Sequence, residues 1–234
     1  MKKIIVAGAL MLILLFLMWL GFSRNKKSAT VPLPAVSQNS QADQGKSSSV
    51  PTAPDAPATP EPTNTSSGFV PPLARAADRI TKKKFGMYIT PQNSPVQPEK
   101  FKGYHVGTDF EIFPDELTAE VPVKAVCTGK IALKKYASGY GGVAVQSCEL
   151  DGGPITAIYG HLNLSSIAAS VGEGINAGDT LGILGKGYSA ETNGERKHLH
   201  LGFHKGSGID IRGYVQKQSE LSNWMDPCLY VCNN

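Results

Sequence analysis

The sequence predicts an all-β domain, an antiparallel β-sandwich or partly open barrel, preceded by a transmembrane helix and a disordered linker. Three observations carry that reading. Residues 198–204 (HLHLGFH) alternate strictly, with Leu199, Leu201 and Phe203 on one face and His198, His200, Gly202 and His204 on the other. That is the period-2 signature of a strand. Residues 121–136 are rich in β-branched side chains, and the turn 137–142 (ASGYGG) separates them from Val143-Ala144-Val145-Gln146, which reads as a hairpin. Short strand-like runs also alternate with turns throughout the second half of a 234-residue chain that holds 25 Gly and 16 Pro. This rhythm belongs to antiparallel all-β architectures.

Taken in order, the chain divides into three segments: 1–27, 28–76 and 77–234. Residues 4–22 form an uncharged, almost wholly apolar run of 19. At about 1.5 Å per residue a helix of that length crosses a hydrocarbon core of ~30 Å. The run exceeds the 7–15-residue apolar core typical of a cleaved signal peptide and is followed by no Ala-x-Ala site. It therefore reads as an uncleaved signal anchor. Lys2 and Lys3 on one side are balanced by Arg24, Lys26 and Lys27 on the other, so flanking charge leaves the orientation open.

From residue 28 the composition shifts to Ser, Thr, Ala, Pro, Gln and Asn, and nine of the 16 prolines fall within 28–72. Such a stretch has too little apolar surface to offset its ordering entropy. It reads as a tether to about residue 76.

Within 77–234, one helix is expected at 73–83, overlapping the boundary, and further strands at 155–159 and 180–184. A net charge of +4 without a concentrated basic stripe argues against a nucleic-acid partner. All four cysteines lie in this region. An even number downstream of a membrane-targeting segment points to disulfides and an oxidising compartment. Cys127 and Cys148 sit almost equidistant from the hairpin turn, so the expected pairs are Cys127–Cys148 and Cys228–Cys232. Disulfides would place the domain outside the cytoplasm, on the periplasmic or cell-wall side.

All five histidines also fall here: His105, His161, His198, His200 and His204. They arrive as an H-x-G-x-D (His105 to Asp109), a G-H (Gly160-His161) and an H-x-H (His198, His200). Singly each is a weak signal; the ordered set is not. Imidazole nitrogens and a carboxylate oxygen suit zinc, and three protein ligands with an open fourth position make a catalytic site. His105 and Asp109 can reach one ion only if the chain bends between them, and Gly107 permits a bend. His198 and His200 share a face, and only one of them need bind metal. His204, four residues further along, is expected to be structural.

At these residues the chain resembles the lysostaphin/LytM-type zinc endopeptidases, which cut the peptides of bacterial peptidoglycan. The likeness spans about 101–226 and includes the H-x-G-x-D, the turn 138–142 (SGYGG), Tyr159-Gly160-His161-Leu162, the glycines of 171–185 and Asp226-Pro227. It implies one zinc ion per chain on His105, Asp109 and His200, and a catalytic pair of His161 and His198. It also implies a β-sandwich with the metal in a groove. The stretch 188–197 (YSAETNGERK) replaces the family's short turn before H-x-H, which alters the groove. With no H-E-x-x-H glutamate in the sequence, a histidine has to move the proton. Tyr88 and Tyr104 could donate to an oxyanion, but tyrosines more often simply pack, and neither is taken as a site residue. The expected function is a membrane-anchored zinc metalloendopeptidase acting on peptidoglycan. The alternative is a catalytically silent module that activates other cell-wall hydrolases.

Overall fold

The computed structural model describes residues 68–232. The expected anchor at 1–27 and most of the expected linker lie outside these residues. No helix among the described residues is long and apolar enough to cross a membrane.

The fold is mostly β-sheet, and every strand pairing is antiparallel. Strands β1 (Tyr88–Ile89) and β2 (Gly103–His105) precede β3 (Gly107–Glu111) and β4 (Pro122–Lys124). The long strands β5 (Gly129–Ala137), β6 (Gly141–Leu150) and β7 (Gly153–Gly160) follow. Short β8 (Leu162–Asn163) and β9 (Gly174–Ile175) lead to β10 (Thr180–Leu184) and β11 (His198–Lys205). The chain then forms β12 (Tyr214–Val215), β13 (Trp224–Met225) and a single helical turn, α1 (Cys228–Val231).

The main sheet runs β13-β11-β7-β6-β5-β9, and β3 pairs with the first half of β11. Two three-stranded sheets, β4-β10-β8 and β1-β2-β12, complete the strand pairing. None of the three closes into a barrel.

The centre of the main sheet, β11, β7 and β6, is buried on both faces. On one side Leu199, Leu201 and Phe203 of β11 join Ala157 and Tyr159 of β7 in a core that also takes Val123, Leu162, Leu181 and Leu184 from the sheet β4-β10-β8. On the other side Val143, Val145 and Ile158 pack with Val106, Tyr140, Val215 and Trp224. The expected alternation of β11 therefore holds, and its histidine face is covered as well. His198 and His200 are only 3% and 4% exposed.

The β5–β6 hairpin forms with Ala137 opposite Gly141. The β-branched run feeding it is broken in two, with β4 in one sheet and β5 in another. Cys127 sits in the intervening loop and bonds Cys148 of β6; Cys228 bonds Cys232.

The helix expected at 73–83 does not form. Only Ala77–Arg79 makes a 3-10 turn. Arg75 takes φ +56°, a left-handed value that an α-helix does not accommodate. Phe69, Leu73 and Ala76 are instead seated in the main core, so the folded region begins before residue 77. Arg79 anchors this strap. Its guanidinium donates to Ala74 O, to Glu111 O and to both carboxylate oxygens of Glu116.

Candidate metal centre

Four strand segments meet at the buried histidines. In the β3–β11 register His200 lies opposite Asp109 and His198 opposite Glu111, while β7 places Gly160 opposite His200 on the other side. His105 ends β2, and the chain turns at Val106 before β3 starts. Gly107 does not make this bend through a left-handed backbone. Its value is space: a Cβ there would lie 2.5 Å from Leu201 O and 2.6 Å from the His200 ring.

The result is a triangle of donor atoms. His105 Nε2 lies 3.0 Å from His200 Nδ1, His200 Nδ1 lies 3.2 Å from Asp109 Oδ1, and His105 Nε2 lies 3.4 Å from Asp109 Oδ1. A tetrahedral ion with bonds of about 2.0–2.1 Å has ligand–ligand edges of about 3.4 Å. The triangle fits such an ion closely. Two of the three side chains also have an outer partner that aims them, Asp109 through Arg196 and His105 through a main-chain carbonyl, whereas His200 Nε2 is buried without a partner among the described residues. His105 Nδ1–H donates to Lys84 O at 3.2 Å, leaving Nε2 for the cluster. Such outer contacts fix tautomer and ring orientation in metal sites.

The other two histidines stand beside the triangle. The rings of His161 and His198 lie 4.2 Å apart. His198 Nδ1–H donates to Arg196 O at 2.9 Å, which turns Nε2 toward Asp109 Oδ2 at 3.3 Å. His161 follows β7 with φ +64°, a left-handed conformation uncommon for a side chain with a Cβ and often found at functional sites. Its Nδ1 is buried without a protein partner among the described residues.

Burial shapes the charge states. It pushes His200 down to about 4 and, with His198 nearby, holds His161 well below its ordinary range. Both rings are neutral at pH 7 and keep a lone pair free for a metal or a proton. Burial acts against the Asp109 carboxylate too, but His198 and His105 outweigh it and keep the group ionised.

A cleft of about 390 Å³ opens over the cluster. Its walls include Phe101, Tyr140, Arg196, Arg212 and Tyr214, none of which the sequence had marked as site residues. Tyr140 was visible in the glycine turn; the rest are brought in by tertiary pairing, Phe101 by stacking on Tyr214 at 5.3 Å. Tyr88 and Tyr104 pack on each other at 4.8 Å and do not line this cleft. His204 packs on Trp224, outside the donor cluster.

Residues 103–212, which hold all of these histidines and Asp109, match Peptidase family M23. The chain carries an M23 peptidase domain. That match agrees with the lysostaphin/LytM-type resemblance expected for this region. No curated protein matches the chain. Among solved structures, LytU is similar at 27% identity and a TM-score of 0.45, over 65% of this chain and 83% of its own. A zinc-containing peptidase from Vibrio cholerae matches at 18% identity and 0.39, over 62% of this chain and 41% of its own. The lytM protein of Ruminococcus gnavus matches at 23% and 0.36, over 56% and 49%. The M23 domain thus carries a buried His-Asp-His donor set with two further histidines against it, a constellation able to hold a divalent metal.

Proposed function

We propose that the chain is a zinc metalloendopeptidase that hydrolyses peptide bonds in peptidoglycan stem peptides or cross-bridges. The observation that carries this reading is the donor triangle of His105, Asp109 and His200, with edges of 3.0–3.4 Å at the floor of an M23 cleft. These three residues would hold the ion. Zinc bound there supplies Lewis acidity, polarising a scissile carbonyl and acidifying water.

The remaining work falls to the chain's own groups. His161 and His198 flank the triangle as neighbours, and His161 is kept neutral by burial. A neutral imidazole accepts a proton from the attacking water and can return it to the leaving amine. His198, held by the Arg196 carbonyl, is the better oriented of the two.

Residues 4–22 are read as a membrane anchor and the Pro/Ser/Thr/Ala-rich stretch from residue 28 as its tether, holding the domain on the extracytoplasmic side. The apolar run and the two disulfides support that placement.

The test is mass spectrometry of fragments released from purified peptidoglycan. The wild-type chain should release peptides with new termini, a chelator should abolish release, and His198→Ala should lose turnover while keeping zinc. No release by a zinc-loaded chain would favour the silent, activating module instead. Full activity of His198→Ala would overturn its assigned role.

A further inference from the structure

Two carboxylates of β3, Asp109 and Glu111, are buried on the same side of the strand with one arginine between them. Arg196 donates from Nη2 to Asp109 Oδ2 at 3.0 Å. It also grips Glu111 with Nε, at 3.1 and 2.9 Å to the two carboxylate oxygens, and with Nη2. Arg196 is 8% exposed, Asp109 2% and Glu111 9%. The backbone carbonyl of the same arginine accepts from His198 Nδ1. One residue therefore touches the ligand carboxylate through its side chain and the adjacent histidine through its main chain.

Resting on the zinc reading above, we infer that Arg196, anchored by Glu111, is a positioning residue for the metal centre. It fixes the plane of the Asp109 carboxylate so that Oδ1 alone faces His105 and His200, while Oδ2 is held by Arg196 and turned to His198.

The argument is geometric first. A planar guanidinium forks onto oxygens in fixed directions, which a lysine ammonium cannot do. A carboxylate with one oxygen tied down in this way is left to bind as a single-oxygen ligand. Charge comes second. A lone guanidinium beside the site would repel a dication, and Glu111, which Lys82 Nζ also approaches at 3.5 Å, offsets much of that charge. Arg196 lies in the 188–197 stretch that replaces the family's short turn, so the device is supplied by the part of the cleft that sets this chain apart.

Geometry and charge predict opposite signs, and that makes the inference testable. Zinc affinity of the full chain is measured by competition with a chromophoric chelator, alongside the thermal midpoint of each zinc-free variant. Arg196→Lys keeps the charge and loses the fork; it should weaken zinc binding by roughly 10–100-fold, the usual cost of losing an outer contact to a ligand. Arg196→Met should weaken it as well, although removing a positive charge alone would tighten it. Glu111→Gln should weaken binding by leaving the guanidinium uncompensated. In turnover, Arg196→Lys should lower kcat with KM unchanged.

Unchanged or tighter zinc binding in both Arg196 variants would overturn the inference. So would a loss that follows the drop in thermal midpoint, or a rise in KM alone, which would make Arg196 a substrate contact. A wild-type chain that binds no zinc would instead refute the function proposed above; tight binding in the wild type and in both Arg196 variants would refute only the positioning role.

Discussion

Glu116 sets the pH response of the strap that leads into the domain. The two hydrogen bonds from Arg79 hold its carboxyl below the usual value of 4.5, against a smaller opposing effect of burial. A carboxylate depressed in the fold binds its proton less readily than in the unfolded chain, so its contribution is present above about pH 4.5 and lost as the pH falls below it. Thermal melts of the wild type and Glu116→Gln should differ at pH 6–7 and converge toward pH 3. A gap of constant size would show that Glu116 does not titrate with folding. At this scale the sequence was most legible where chemistry imposes a pattern. The H-x-G-x-D, G-H and H-x-H residues are the ones that gather in the cleft. Arg196 was not legible as a site residue, because its role comes from strand pairing that brings residue 196 to residues 109 and 111.

Strand β11 shows why elements were easier to read than their boundaries. Its alternation follows from burial of both faces, Leu199, Leu201 and Phe203 in one core and the histidines under the cleft walls. The 73–83 segment shows the opposite case. A helix was expected there, yet Arg75 at φ +56° and the tertiary grip on Arg79 make the segment a strap. Local periodicity cannot reveal a partner that is distant in sequence. Gly107 was noticed for a bend, whereas its position is dictated by the approach of β11. A Cβ would meet Leu201 O at 2.5 Å and the His200 ring at 2.6 Å. Gly107→Ala should therefore force β3 and β11 apart, costing about 1–3 kcal/mol as overpacking usually does, and should weaken zinc binding together with it. Denaturant unfolding with and without zinc checks this; a neutral effect on both would mean that β3 shifts freely.

The whole molecule places chemistry at the junction of separate pieces of chain. His105 comes from the small sheet β1-β2-β12, Asp109 and His200 from two paired strands of the main sheet, and His161 from the turn after β7. No short segment contains the site, so its donors converge only when all these pairings form. Zinc binding should in turn stabilise the fold, since a ligand that binds only the native state shifts the equilibrium toward it. The central claim is that three of those residues share one ion. It is tested most directly by counting zinc atoms per chain in purified, metal-reconstituted protein. The account predicts about one zinc in the wild type and essentially none in His200→Ala of unchanged fold. A full equivalent of zinc retained by His200→Ala would contradict it.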